Sequence, residues 1–345
     1  MARLNEDELK KQIKSGTFDN VYFIYGEESY LKEFYVNKLK AKIVDPAFAD
    51  FNYHCYENKN TALDVILNDA DTLPVMSEYT FILVHDYPLD KSESELELLK
   101  AYFNDISQSC VIVFWCDNID VDVKKNAKWR KIENAFAKFG ASVDMQKRTE
   151  SDLAKLIVSR AKKKNCLLSL NDARYLIRTV GSDIKTVFNE TDKICAFVSQ
   201  GEITKQNIDL LAVKSLQARV FDLSKSILKG DCDGAFEILN GLFAQKEEPI
   251  AILAVIASCY TDMYRVKCAK AANQAQNDVG NYYNYKNKEF LLTNASRNCK
   301  DISFENLRKS IDVLAKTDEL LKSTSVNKNI LLEETVAKLL MLRGA

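Results

Sequence analysis

The stretch Val21-Tyr22-Phe23-Ile24-Tyr25-Gly26-Glu27-Glu28-Ser29-Tyr30-Leu31-Lys32 limits the possible folds more than any other part of the chain. A short run of β-branched and aromatic residues enters a single glycine, and an amphipathic segment follows. That is the pattern of a buried parallel strand feeding a helix in an α/β domain. Chains that hold nucleotide at such a turn make it glycine-rich and place a Lys-Ser/Thr pair there. Backbone N–H groups and an ammonium then meet the phosphates. Here one glycine and two carboxylates, Glu27 and Glu28, stand where phosphate would lie. Acids suit a helix N-terminus but repel a polyphosphate. The turn reads as a nucleotide-binding frame that does not use nucleotide.

The same alternation continues downstream. Strands are expected at 21–25, 50–56, 79–85, 110–116 and 141–144, with helices at 30–42, 61–70, 92–104 and 125–139 between them. A lead-in helix over 4–15 precedes them, closed by Gly16, and Thr61 with Asp64 reads as a helix-start pattern. The run 110–116 is apolar throughout, as a strand covered on both faces would be. Five strands alternating with helices imply a parallel α/β domain over 1–146. Beyond it only Pro249 of the four prolines remains, and strand-like alternation disappears. Helices at 149–164, 171–180 and 182–198, and a short one from 203, make a small all-α module over 147–210. A second all-α block fills 211–345, with helices near 219–228, 231–244, 247–271, 289–299, 303–323 and 327–342. The polar, tyrosine-rich stretch 274–288 reads as a surface loop.

Charge and reactive residues narrow the chemistry. Residues 1–146 hold 17 Lys+Arg against 25 Asp+Glu, whereas 147–210 hold 12 against 8 and 211–345 hold 19 against 16. An acidic first domain is a poor grip for a nucleic-acid backbone. Nine cysteines without a C-x-x-C pair read as reduced core thiols, and two histidines cannot complete a zinc site. No G-x4-G-K-[ST] occurs anywhere. The purely apolar runs are too short for a membrane span, and the first residues lack a signal-peptide core, so a cytoplasmic location without membrane contact is expected. No catalytic residue, metal or cofactor is expected.

Several short motifs, in order, resemble the delta subunit of the bacterial DNA polymerase III clamp loader. They are Tyr22-Phe23-Ile24-Tyr25-Gly26-Glu27-Glu28, then Thr72-Leu73-Pro74-Val75-Met76-Ser77-Glu78 before the 81–84 strand, and Gly181-Ser182-Asp183-Ile184 with Asn189-Glu190-Thr191-Asp192-Lys193. Val220-Phe221-Asp222-Leu223, Gly230-Asp231, Glu247-Glu248-Pro249-Ile250 and Thr317-Asp318-Glu319-Leu320-Leu321-Lys322 complete the series. The resemblance implies an AAA+-like, nucleotide-free α/β domain, a small helical lid and a helical collar. It implies a subunit that binds the beta sliding clamp and opens its ring, while other subunits hydrolyse ATP. It also implies partners of the tau/gamma and delta-prime type through the collar, with DNA inside the assembled loader. The family inserts an apolar pair, usually Leu-Phe after proline, into a clamp pocket; here Pro74 is followed by Val75-Met76.

Leu73, Val75 and Met76 alone read first as a cap on the core beneath the 81–84 strand, with a protein-binding wedge as the alternative. The resemblance reverses that order. Glu27 and Glu28 read as solvated first-turn acids, and the 117–122 acids as a surface loop rather than a magnesium site. Ser159-Arg160-Ala161 falls in the wrong place for a trans-acting arginine finger. Lys162-Lys163-Lys164 reads as a solvated helix end before a phosphate contact, and Tyr282, Tyr283 and Tyr285 as loop packing or base stacking. Two rival classes stay open: an ATPase with a degenerate phosphate loop, and a DNA-binding adaptor.

Overall fold

The computed structural model describes residues 2–58, 60–285, 289–300 and 302–343. The chain divides into two compact units, Met1–Arg148 and Thr149–Ala345.

The first unit runs β1 (Ala2–Leu4), α1 (Glu6–Ser15), β2 (Val21–Tyr25), α2 (Ser29–Ile43), α3 (Ala49–Asn52), β3 (Tyr53–Glu57), α4 (Leu63–Ala70), β4 (Thr80–His85), α5 (Glu93–Phe103), β5 (Cys110–Trp115), α6 (Ala127–Phe139) and β6 (Ala141–Asp144). Six strands form one sheet in the order β1-β6-β2-β5-β4-β3, and every pairing is parallel. Parallel strands joined by helices need both faces covered. Accordingly β2 is buried along its whole length, and β4 and β5 at all but their last residue. On one face Phe23 stacks on Phe136 of α6 (4.8 Å between centroids), amid Ile82, Ile112, Phe114 and Trp129.

Three local expectations change. Residues 2–4, of which only Leu4 is expected in the first helix, pair with 141–143 as a sixth, edge strand, and α1 begins at Glu6 behind an Asn5–Glu8 capping box. Residues 50–52 are helical, so β3 starts at Tyr53. Thr61 caps nothing: α4 begins after Ala62, which makes no side-chain cap bond.

The second unit contains α7 (Glu150–Lys163), β7 (Cys166–Leu168), α8 (Leu170–Val180), α9 (Ile184–Val198), β8 (Gly201–Ile203), α10 (Lys205–Leu211), α11 (Leu216–Lys229), α12 (Cys232–Ala244), α13 (Pro249–Ala271), α14 (Glu289–Asn298), α15 (Phe304–Ser323) and α16 (Lys328–Arg343). It is mostly helical but not purely so. The three-residue strands β7 and β8 pair in parallel, too short for alternation to announce them. Ser and Thr caps set several helix starts, with Thr149, Ser169 and Ser215 each accepting a backbone N–H. Helix α13 is long and apolar enough, by length and composition, to cross a membrane. Its Ile252, Ile256, Tyr260, Met263 and Val266 are instead buried in a cluster with Val220, Leu239, Leu332 and Val336. The stretch expected as a surface loop is partly built in: 276–281 form a short 3-10 turn and Tyr285 is buried, its hydroxyl bonded to Asp262 and Arg265. Residues 286–288 of that stretch lie outside the described residues. All nine cysteines are free; Cys55 and Cys232 are exposed rather than in the core.

Candidate functional site

The carboxyl ends of parallel strands are the usual place for a ligand in an open α/β sheet. A cleft of about 1170 Å³ lies there, lined by Tyr25, Gly26, Glu27, Ser29, the 117–125 segment and Asp144. Its floor is occupied by the chain's own charges. Lys32, in the first turn of α2, is 1% exposed; its ammonium donates to the Cys116 carbonyl (2.9 Å) and pairs with Asp117 (3.0 Å). Burial opposes ionisation of Asp117, yet hydrogen bonds from Lys32 and Ser29 and the Lys32 charge hold its carboxyl below the usual range. Arg3 forks Glu133 through two 2.6 Å bonds. Buried Asp86 accepts the backbone N–H groups of Asp117 and Asn118 (2.7 and 3.0 Å), fixing the segment that follows β5.

Gly26 explains why the turn holds a glycine without cradling phosphate. Its φ is +117°, and a Cβ there would stand 2.5 Å from the Met145 carbonyl oxygen. The glycine lets this turn lie against the chain leaving β6. Glu27 is exposed, as expected for a first-turn acid, but Glu28 is buried, contrary to that expectation; its backbone N–H donates to Met145. Burial pushes the Asp144 carboxyl upward, against a hydrogen bond from Gln146. Two of the three donors of the Lys32 ammonium are committed to a carbonyl and a carboxylate, and Asp117 already answers its charge.

The opposite end of the sheet, where β3 and β4 begin, is finished with apolar side chains. The loop 71–79 leaves α4, carries Leu73, Val75 and Met76, and enters β4. Leu73 and Met76 are 80% and 81% exposed, and Val75 is 44% exposed. They do not cap the core beneath Phe81 and Val84. The loop is nevertheless fastened. Asn52, fully buried at the end of α3, donates its amide to the Val75 carbonyl (2.8 Å) and to Ser77 Oγ (2.9 Å). Its Oδ1 accepts the Val75 N–H (2.7 Å). Thr72 Oγ donates to the Asp69 carbonyl, and Thr80 Oγ to the Thr72 carbonyl. Met76 sits at φ +51°, a region non-glycine residues rarely enter. Neither Lys32 nor Asn52 stood out in the sequence, because each matters through a partner remote in the chain.

The other candidates are absorbed by the fold. Arg160 forks Asp192 (2.7 Å twice), and Lys164 joins the same carboxylate at 3.4 Å, whereas Lys162 and Lys163 of the basic run are exposed. The 117–122 acids line the cleft described above. Tyr283 lies beneath the Arg265 guanidinium at 3.8 Å, while Tyr282 is exposed.

The class the structure defines is a six-stranded parallel α/β domain whose cleft charges pair with one another, followed by a mostly helical unit. Comparison with known proteins is specific. Two family models match, "DNA polymerase III, delta subunit" over residues 22–137 and "DNA polymerase III delta subunit, C-terminal domain" over residues 217–339. The chain is 26% identical over 338 residues to the Bacillus subtilis DNA polymerase III subunit delta, covering 96% of this chain and 95% of that one. It is 20% identical over 300 residues to a probable DNA polymerase III subunit delta of Aquifex aeolicus, covering 82% and 83%. The solved structure of the Bacillus subtilis DNA clamp loader delta protein superposes with a TM-score of 0.63 at 25% identity, covering 97% and 99%. The chain belongs to the DNA polymerase III delta-subunit family. It is an accessory subunit of a DNA polymerase, and its role lies in DNA replication.

Proposed function

We propose that this chain is the ring-binding component of a clamp loader. Leu73, Val75 and Met76 enter an apolar pocket on the beta sliding clamp, and the chain favours the open ring over the closed one. The exposure of these three side chains on a hydrogen-bonded loop carries the reading. A flexible apolar loop would fold back on its own domain, whereas this one is held away from it. Burying Leu73 and Met76 on a partner is worth about 1.5–3 kcal/mol each before ordering costs. Opening follows if the contact fits the open ring better, because a ligand shifts an equilibrium only by its difference in affinity for the two states.

The rest of the assignment follows the family. Residues 147–210 serve as a lid and 211–345 as a collar that joins tau/gamma and delta-prime type subunits, in which ATP is turned over; primed DNA passes through the assembled loader in the cytoplasm. The cleft with its Lys32–Asp117 pair supports a chain that binds its partner without ATP. The test is calorimetric titration of the full chain against the sliding clamp of the same organism, without nucleotide. Binding that Val75→Ala/Met76→Ala weakens ten-fold or more, about 1.4 kcal/mol, supports the assignment. Unchanged affinity in the double variant moves the contact elsewhere. Absent binding together with ATP turnover by the isolated chain favours the ATPase class, and tight, salt-sensitive DNA binding by the isolated chain favours the adaptor class.

A further inference from the structure

Asn52 is fully buried, and a buried amide must find partners for its polar atoms. It finds all three described partners in one place: the N–H and C=O of Val75 and the hydroxyl of Ser77. The side-chain amide thus pairs with both backbone groups of Val75, as an adjacent strand would, across 23 positions of sequence. The next residue, Met76, holds a left-handed backbone conformation. For a non-glycine residue this conformation is unfavourable and persists only where the surroundings impose it. The Met76 side chain is 81% exposed and gains almost nothing from its own domain. The hydrogen bonds flanking it at Val75 and Ser77 are what pin the turn.

We infer that Asn52 is a positioning residue for clamp binding, setting the left-handed turn at Met76 so that Leu73, Val75 and Met76 face outward before the ring arrives. This rests on the loop being the clamp contact, as proposed above. The physical gain is pre-organisation. A loop already in its bound shape does not lose loop entropy on docking, and the measured affinity is reduced only by the fraction of loops in the wrong shape. Asn52 touches no partner itself; it acts through the Val75 backbone on one side of Met76 and the Ser77 hydroxyl on the other.

Two variants test it, Asn52→Ala, which removes all three bonds, and Asn52→Asp, which keeps the acceptor for the Val75 N–H and loses the two donors. Hydrogen exchange of the free full-length chain comes first. The Val75 amide is expected to exchange about ten-fold or more faster in Asn52→Ala, while amides within β4 and β5 keep their protection. Titration against the sliding clamp is expected to show about ten-fold weaker binding for Asn52→Ala and a smaller loss for Asn52→Asp. In the Val75→Ala/Met76→Ala background the Asn52→Ala change is expected to shrink to less than about two-fold, since there is little left to position. Three results overturn the inference. One is unchanged ring affinity with a released Val75 amide. Another is an equal loss of affinity in both backgrounds, which is the signature of a general structural role. The third is Val75 protection that survives both variants. Failure of the wild-type chain to bind the ring overturns the clamp reading instead, and Val75 exchange then still reports whether Asn52 sets the loop.

Discussion

The two ends of the same parallel sheet have been finished in opposite ways. At the carboxyl ends of the strands the charges answer one another: Lys32 meets Asp117 and Cys116, Arg3 meets Glu133, and Asp86 ties down the segment after β5. At the opposite end, polar groups are spent inward through Asn52, and apolar side chains are left facing out. A large cleft is the ordinary place to look for function in such a fold. The opposite end carries exposed large apolar residues on a fastened loop, and the proposed ring contact rests on them.

That contrast can be broken by moving stability and ring binding independently. The largest effect is expected from Lys32→Ala. It leaves a part-buried Asp117 without its cation and opens a buried space, costing about 2–3 kcal/mol in urea unfolding, with ring affinity within two-fold of wild type. A large loss of affinity at unchanged stability would mean that the cleft, not the loop, carries the contact. Val75→Ala/Met76→Ala is expected to do the reverse, with a ten-fold loss of affinity and a stability change under about 0.5 kcal/mol, because both side chains are exposed.

Asp117→Asn sharpens the account of the cleft through pH. The folded carboxyl sits below its ordinary value, so its contribution to stability is present above about pH 4 and is lost as pH falls through the lowered value. The variant is expected to unfold with a shallower loss of stability between neutral and strongly acidic pH, followed by tryptophan fluorescence. An unchanged acid slope would show that the Asp117 carboxyl is not lowered in the folded chain. The smallest effect is expected from Glu27→Gln, which alters an exposed acid at the mouth of the cleft. Stability and ring affinity are both expected to stay within about 0.5 kcal/mol, and ATP binding by the variant would show that a single repulsive charge had been keeping nucleotide out.

Much of the fold was legible in the sequence because its signals are local. The apolar runs at 21–25, 79–85 and 110–116, and the helical periodicity after residue 149, mark elements that each bury one face or both. Leu73, Val75 and Met76 could be picked out as a cluster of large apolar residues between a helix and a strand. Composition left open whether they point into the core or away from it. The edge strand at 2–4 and the pair of three-residue strands in the second unit were illegible, since three residues carry no usable period and their pairing is to distant segments.

What the sequence determined by itself was therefore the layered order of elements and the absence of a phosphate-binding motif. Those follow from side-chain type and spacing along one short stretch at a time. What the tertiary structure decided was where unlike groups meet: Lys32 with Asp117, Gly26 against Met145, and Asn52 with Val75 and Ser77. A buried ammonium or amide is stable only beside its partner, and the partner is chosen by how the sheet brings remote turns together, not by any pattern within either turn.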